Sequence, residues 1–312
     1  MPTTESNGIT IHYEEQGQGE PLLLIMGLGG QLTDWPAGLV DLLAERFRVI
    51  RFDNRDIGLS STIEVPPPGT WSSLRAAITG RQPEAPYQLA DMANDTVGLL
   101  DHLGIESVQV VGASMGGMIA QQLAIDHPER VSGLVSIMST TGNRRVGRPS
   151  PSLVSRLAAR RPPPADAPID EVVDQAIDLY EAISGPARNL DTAREVFRHS
   201  IERSYRPDGT ARQLAAIQGS PDRTSELGAL SIPTLVVHGQ VDPLVRLSGG
   251  LATVAAVPGS RLVVFPEMGH DLPATRWAEM VDLIEANARA GRPTAGPSAT
   301  KPRRWFRRAA RV

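Results

Sequence analysis

The apolar run Val108-Gln109-Val110-Val111 enters Gly112-Ala113-Ser114-Met115-Gly116 and leaves it as Gly117-Met118-Ile119-Ala120. A strand that passes through G-x-S-x-G directly into a helix must reverse within a very tight turn. The positions around the serine then tolerate almost no side chain, which accounts for the glycines and for alanine at 113. Such a turn exposes the Ser114 hydroxyl at the carboxyl edge of a sheet. Met115 opens the helix, so its N–H lacks an intrahelical acceptor and can serve an oxyanion beside the serine. With 29 glycines in 312 residues the pattern alone arises easily by chance. The strand before it and the helix after it are what make it a nucleophile turn.

A serine hydroxyl is a weak nucleophile at neutral pH, so this reading requires a histidine base and an acid to orient it, in the chain order serine, acid, histidine. Thr234-Leu235-Val236-Val237-His238-Gly239-Gln240-Val241-Asp242-Pro243 reads as a buried strand ending in a polar turn that carries Asp242. Arg261 to Phe265 reads as another strand, with His270 on the loop beyond it. Both side chains fall at the sheet edge expected for Ser114, where ligands of open α/β sheets bind. Plainer readings compete: Asp242 as a turn former before Pro243, His270 as a cap residue before a helix near Pro273. His238 reads as structural, because no acid is placed to orient it. Asp271 adjoins His270 and would struggle to turn back onto its imidazole. Glu267 stays open as a rival acid.

Strands and helices alternate along the rest of the chain, implying a largely parallel, three-layer sheet of the α/β class. Ile9 to Glu15 alternates like an edge strand, and Leu22 to Ile25 is a continuous buried run. Thr33 to Ala44 has helical spacing behind a start at Asp34, Trp35 and Pro36, Val49 to Asp53 is a strand, Leu89 to Leu103 a helix and Val131 to Ile137 a strand. The rhythm breaks from about Thr141 to Gly228, where Pro162-Pro163-Pro164 and helical stretches at Glu171 to Ile183, Leu190 to Tyr205 and Thr210 to Gln218 intervene. The expected organisation is a core over 1–140, a helical cap over 141–228, the core resumed over 229–288 and a basic tail over 289–312. A cap over the carboxyl edge would exclude water and select substrate. The Pro-rich segment from Ile63 to Pro86, with Trp71, Leu74 and Ile78, is expected to form an opposing lip.

These motifs resemble the α/β-hydrolase family from Gly8 to about Asn287. The likeness rests on Gly112 to Gly116, on His238-Gly239-Gln240-Val241-Asp242-Pro243 and on Gly269-His270. Leu22-Leu23-Leu24-Ile25-Met26-Gly27-Leu28-Gly29-Gly30 is similar to the strand and loop that carry the family's second oxyanion donor. Phe52-Asp53-Asn54-Arg55-Asp56-Ile57-Gly58-Leu59-Ser60 is similar to its next strand and turn. The resemblance implies Ser114, Asp242 and His270 as a catalytic triad, the backbone N–H groups of Leu28 and Met115 as the oxyanion hole, and Met26 and Gly27 beside the substrate. Met26 departs from the pattern, since family members commonly carry histidine there, so the hydrogen bonds of that histidine must be absent or replaced. Met-Gly-Leu-Gly, Asp-Asn-Arg-Asp and Gly-Ala-Ser-Met-Gly-Gly together look most like bacterial carboxylesterases grouped with aclacinomycin methylesterase.

The expected activity is serine-dependent hydrolysis of a small, largely apolar or aromatic carboxylic ester, a methyl ester among them, without metal or organic cofactor. The same triad would also serve cofactor-free haloperoxidase or perhydrolase chemistry, or carbon–carbon bond hydrolysis. A non-catalytic relative that only binds a small ligand is the reading from another class. Serine at the turn disfavours dehalogenase and epoxide-hydrolase chemistry, which needs a carboxylate there. A net charge of −4 gives no global reason to expect nucleic acid. The absence of cysteine rules out disulfides and thiolate metal sites. With no basic, apolar leader at Met1-Pro2-Thr3-Thr4-Glu5 and no membrane-length run, cytoplasmic residence is expected. Arg303-Arg304-Trp305-Phe306-Arg307-Arg308 suits weak contact with an anionic surface, against the plainer reading of a solubilising tail.

Overall fold

In the computed structural model, which describes residues 2–67 and 85–290, eight strands form one sheet. They are β1 Thr3–Ser6, β2 Ile9–Gln16, β3 Pro21–Ile25, β4 Arg48–Phe52, β5 Val108–Ala113, β6 Val131–Ile137, β7 Thr234–Gly239 and β8 Arg261–Phe265, in the spatial order β1-β2-β4-β3-β5-β6-β7-β8. β1 and β2 pair antiparallel, as do β2 and β4, and every other pairing is parallel. The order reverses at β3 and β5, which pair with Leu23 opposite Val110. The loops leaving these two strands therefore flank the crevice in which open α/β sheets place ligands.

The central parallel strands β3, β5, β6 and β7 are buried and largely apolar because helices cover both faces. Leu22 and Leu24 face one core with Val111, Val135, Val237 and helices α1 (Ala37–Ala44) and α10 (Trp277–Ala290). Leu23 and Ile25 face the other, with Val110 and helices α2 (Leu89–His102) and α3 (Met115–Asp126). This period of two sets the register firmly, since a one-residue slip would exchange the contents of the two cores.

Between β6 and β7 lie α4 (Pro151–Ala159), α5 (Ile169–Ile183), α6 (Leu190–Arg203), α7 (Pro207–Gly219) and the short α8 (Thr224–Leu227). A further helix, α9 (Ser248–Ala256), joins β7 to β8. Three expectations are corrected. Ile9 to Glu15 is not the edge strand, because β1 pairs outside it through Thr4 and Ile11. The helix expected from Thr33 begins at Ala37, because Pro36 separates it from a single 3-10 turn, Leu32–Asp34. Helices α4 and α8 were not expected; α4 starts on Pro151, with the Ser150 hydroxyl accepting from the Leu153 N–H. Trp71, Leu74 and Ile78 of the expected lip and residues 291–312 of the tail lie outside the described residues. No helix among the described residues is long and apolar enough to cross a membrane.

Candidate active site

Ser114 sits between β5 and α3 with φ +56° and ψ −118°, a left-handed conformation that costs a non-glycine residue on the order of 1–3 kcal/mol. Its glycines are steric necessities. A Cβ on Gly112 would stand 2.1 Å from the Gly116 carbonyl oxygen, and one on Gly116 would stand 2.0 Å from that of Ile25. The turn is held from β6, where the Ile137 carbonyl accepts the Ser114 N–H at 2.9 Å and the Ser139 hydroxyl donates to the Ser114 carbonyl at 2.8 Å.

Asp242 and His270 reach the serine from the ends of β7 and β8. The imidazole Nε2 lies 3.0 Å from Ser114 Oγ, and its Nδ1 lies 2.8 Å from Asp242 Oδ2. The other Asp242 oxygen accepts the backbone N–H groups of Leu244 and Val245, each at 2.9 Å. A carboxylate anchored in this way accepts from Nδ1–H, which leaves the Nε2 lone pair to accept from the serine hydroxyl. The backbone of His270 is fixed as well, its N–H donating to the Ile183 carbonyl at the end of α5 at 2.8 Å.

The rival residues part from this chain of hydrogen bonds. Glu267 pairs with Arg276 at 2.5 Å, which holds its carboxyl below the usual range and away from His270. Asp271 turns to backbone, one oxygen accepting the N–H groups of Gly269 at 2.8 Å and Gly185 at 3.1 Å, while burial raises its pKa. His238 is wholly buried and its Nε2–H donates to the Val245 carbonyl at 2.7 Å. Contrary to expectation an acid does stand near it, Asp242 at 3.8 Å, but burial lowers the His238 pKa and keeps the ring neutral.

The loop after β3 lies against the serine: a Cβ on Gly27 would stand 3.2 Å from Ser114 Cβ and 3.7 Å from its Oγ. Leu28 is exposed and Met26 buried. Among the described residues, no protein group accepts the N–H of Leu28 or of Met115. The side chain of Met115 is fully buried in the core cluster that holds Ile119 and Leu23, so only its main chain is available to a ligand. The loop is held by side chains from elsewhere: Asn54 donates to the Met26 carbonyl at 3.1 Å and Gln213 on α7 accepts the Gly29 N–H at 2.9 Å. Neither residue carries a local sequence signal; only the unusual density of polar side chains in Asp53-Asn54-Arg55-Asp56, just after an apolar strand, marks the region. Among the described residues no group of three or more His, Cys, Asp or Glu could hold a metal ion.

The sequence matches the alpha/beta hydrolase fold family over residues 20–275. The chain belongs to that family. A Variovorax paradoxus relative assigned as the carbamate hydrolase RutD is 31% identical over 280 residues, 86% of this chain and 92% of the relative. Rhodomycin D methylesterase DauP of a Streptomyces species is 26% identical over 317 residues, covering 93% and 99%. A 2-hydroxymuconate semialdehyde hydrolase of Pseudomonas putida is 29% identical over 291 residues, covering 90% and 93%. A thermophilic esterase from Thermogutta terrifontis superposes with a TM-score of 0.64 at 27% identity, over 91% of this chain and 94% of its own. These α/β hydrolases share a fold while acting on different bonds, so the bond cleaved here has to be argued from the site.

Proposed function

We propose that this hydrolase cleaves a carboxylic ester of a small, largely apolar or aromatic acid by two-step acyl transfer, a methyl ester being the first substrate class to test. The reading is carried by the unbroken Asp242–His270–Ser114 chain of hydrogen bonds at the sheet edge. His270 Nε2 takes the Ser114 proton as Oγ attacks the ester carbonyl, while Asp242 supports the positive charge that develops on the ring. The carbonyl oxygen, now an anion, accepts from the N–H groups of Leu28 and Met115. His270 returns the proton to the departing alcohol, and a water activated by the same ring releases the acid.

The methylesterase and esterase relatives support ester cleavage. The helices between β6 and β7 would exclude water from the acyl-enzyme. The test compares hydrolysis of methyl esters of aromatic acids and graded p-nitrophenyl acyl esters with that of a vinylogous diketone and an alkyl carbamate. Ester turnover at least tenfold above the others in kcat/KM is expected. A preference for the diketone would assign carbon–carbon cleavage instead. Peroxy-acid formation on addition of peroxide, faster than hydrolysis, would assign perhydrolysis.

A further inference from the structure

Leu28 is the residue of the β3 loop whose N–H the proposed mechanism uses, and an amide is only as well aimed as the two peptide planes that flank it. On its N-terminal side the chain is held by Asn54, which donates to the Met26 carbonyl at 3.1 Å. Within the loop a turn closes from the Gly30 N–H to the Gly27 carbonyl at 3.2 Å. On the C-terminal side the next N–H, that of Gly29, donates across the molecule to Gln213 Oε1 at 2.9 Å, from a helix 184 residues away in sequence.

Gln213 is fully buried, and its amide has one workable orientation. Its Nε2 donates to the Arg55 carbonyl at 2.9 Å, and a flipped amide would set N–H against N–H at Gly29 and oxygen against oxygen at Arg55. The neighbouring residue fixes the helix: Arg212 donates twice to Asp56, at 2.9 and 2.7 Å, with both groups buried. Thr210, one turn earlier on α7, packs so closely on the loop that a Cβ on Gly29 would stand 2.9 Å from its Oγ1.

We propose that Gln213 is a positioning residue that aims the Leu28 N–H from the inserted helices, so that the oxyanion hole is complete only while α7 is seated on the core. This rests on the acyl-transfer reading above. Withdrawing α7 then leaves the Gly29 N–H without its acceptor and frees the peptide that carries Leu28.

The test uses the full chain with Gln213→Met, which keeps the volume and removes the acceptor, and Gln213→Glu, which keeps an acceptor and loses the bond to Arg55. Hydrogen exchange of the peptide covering 26–31 reads the tether without reference to activity. Ester kinetics and the rate of Ser114 phosphonylation by a fluorophosphonate read its consequence. Gln213→Met is expected to speed exchange in 26–31 with β5 unchanged, and to lower both kcat and phosphonylation rate about 10- to 100-fold, the scale of a displaced oxyanion donor, with KM moved less than about threefold. Gln213→Glu is expected to recover a substantial part of both rates. Unchanged exchange in 26–31 overturns the proposal, as does a folded Gln213→Met with kcat within about twofold of the parent. Should Gln213→Met fail to fold, Gln213→Glu decides alone: exchange in 26–31 and rates near the parent support the tether, and a global loss of kcat with unchanged exchange refutes it. A parent protein that takes no phosphonate and turns over no ester contradicts the acyl-transfer reading separately, and the exchange arm still decides whether Gln213 holds the loop.

Discussion

At the scale of single residues, the three proposed catalytic side chains were legible because each sits where turn chemistry is severe. Ser114 needs glycines 112 and 116, and Asp242 and His270 lie on the turns just beyond β7 and β8. Ser114→Ala is expected to lower kcat by roughly 10⁴-fold or more with the far-ultraviolet spectrum and melting temperature little changed. Asp242→Asn is expected to cost about 10³- to 10⁴-fold, since an amide at that position favours the wrong tautomer of His270. Glu267→Gln removes only a half-buried pair with Arg276 that does not touch His270 and should leave kcat within about twofold, a contrast that steady-state kinetics on the two variants decides. The contacts of Asn54 and Gln213 with the β3 loop are not legible in the sequence, for a physical reason. Their partners are the backbone atoms of Met26 and Gly29, and a backbone contact leaves no mark in the sequence of either partner.

At the scale of elements, the parallel strands were read to within about two residues, because burial on both faces leaves an apolar run with no other explanation. The helices outside the sheet were harder. α4 has one buried residue, Leu153, so its apolar periodicity is faint. The 3-10 turn Leu32–Asp34 shows how a tertiary contact overrides helical spacing: Asp34 accepts from the Gln31 N–H at 2.9 Å and from the hydroxyl of Ser200 on α6. Loss of solvation there pushes the Asp34 carboxyl up to about 6, against the help of those two hydrogen bonds and with Asp53 nearby adding to the rise. A carboxyl whose pKa is raised on folding contributes its stability at low pH and loses it as pH climbs through about 6. The stability of the parent relative to Asp34→Asn should therefore fall by on the order of 2 kcal/mol between pH 4 and 7. Denaturant unfolding of both proteins at several pH values measures it, and a difference independent of pH would refute this account of the contact.

At the scale of the whole molecule, the inserted helices are joined to the core by buried charge. Asp53 pairs with Arg203 of α6 at 2.8 Å and Asp56 with Arg212 of α7, while Arg55 of the same turn holds Asp95 of α2 at 2.6 Å. Asp56 adopts φ +74° and also accepts from the Tyr87 hydroxyl at 2.7 Å, so the turn after β4 is committed on every side. Composition hints at this only weakly, because arginines on a surface helix and arginines in a buried latch look the same in sequence. Arg212→Met leaves the Asp56 charge buried without its cation and is expected to cost about 3–5 kcal/mol, read as a drop in the denaturant midpoint. Deleting residues beyond 290 should leave turnover of a small ester unchanged, and a large loss would show that the basic segment docks on the body. The central claim is that Ser114 is the nucleophile of an acyl-transfer site. Locating the adduct after treatment with a fluorophosphonate, by peptide mass, tests it most directly. A single label on Ser114 whose appearance tracks the loss of ester hydrolysis is the expected result; a label on another residue, or none in folded protein that still hydrolyses esters, would overturn the assignment of Ser114.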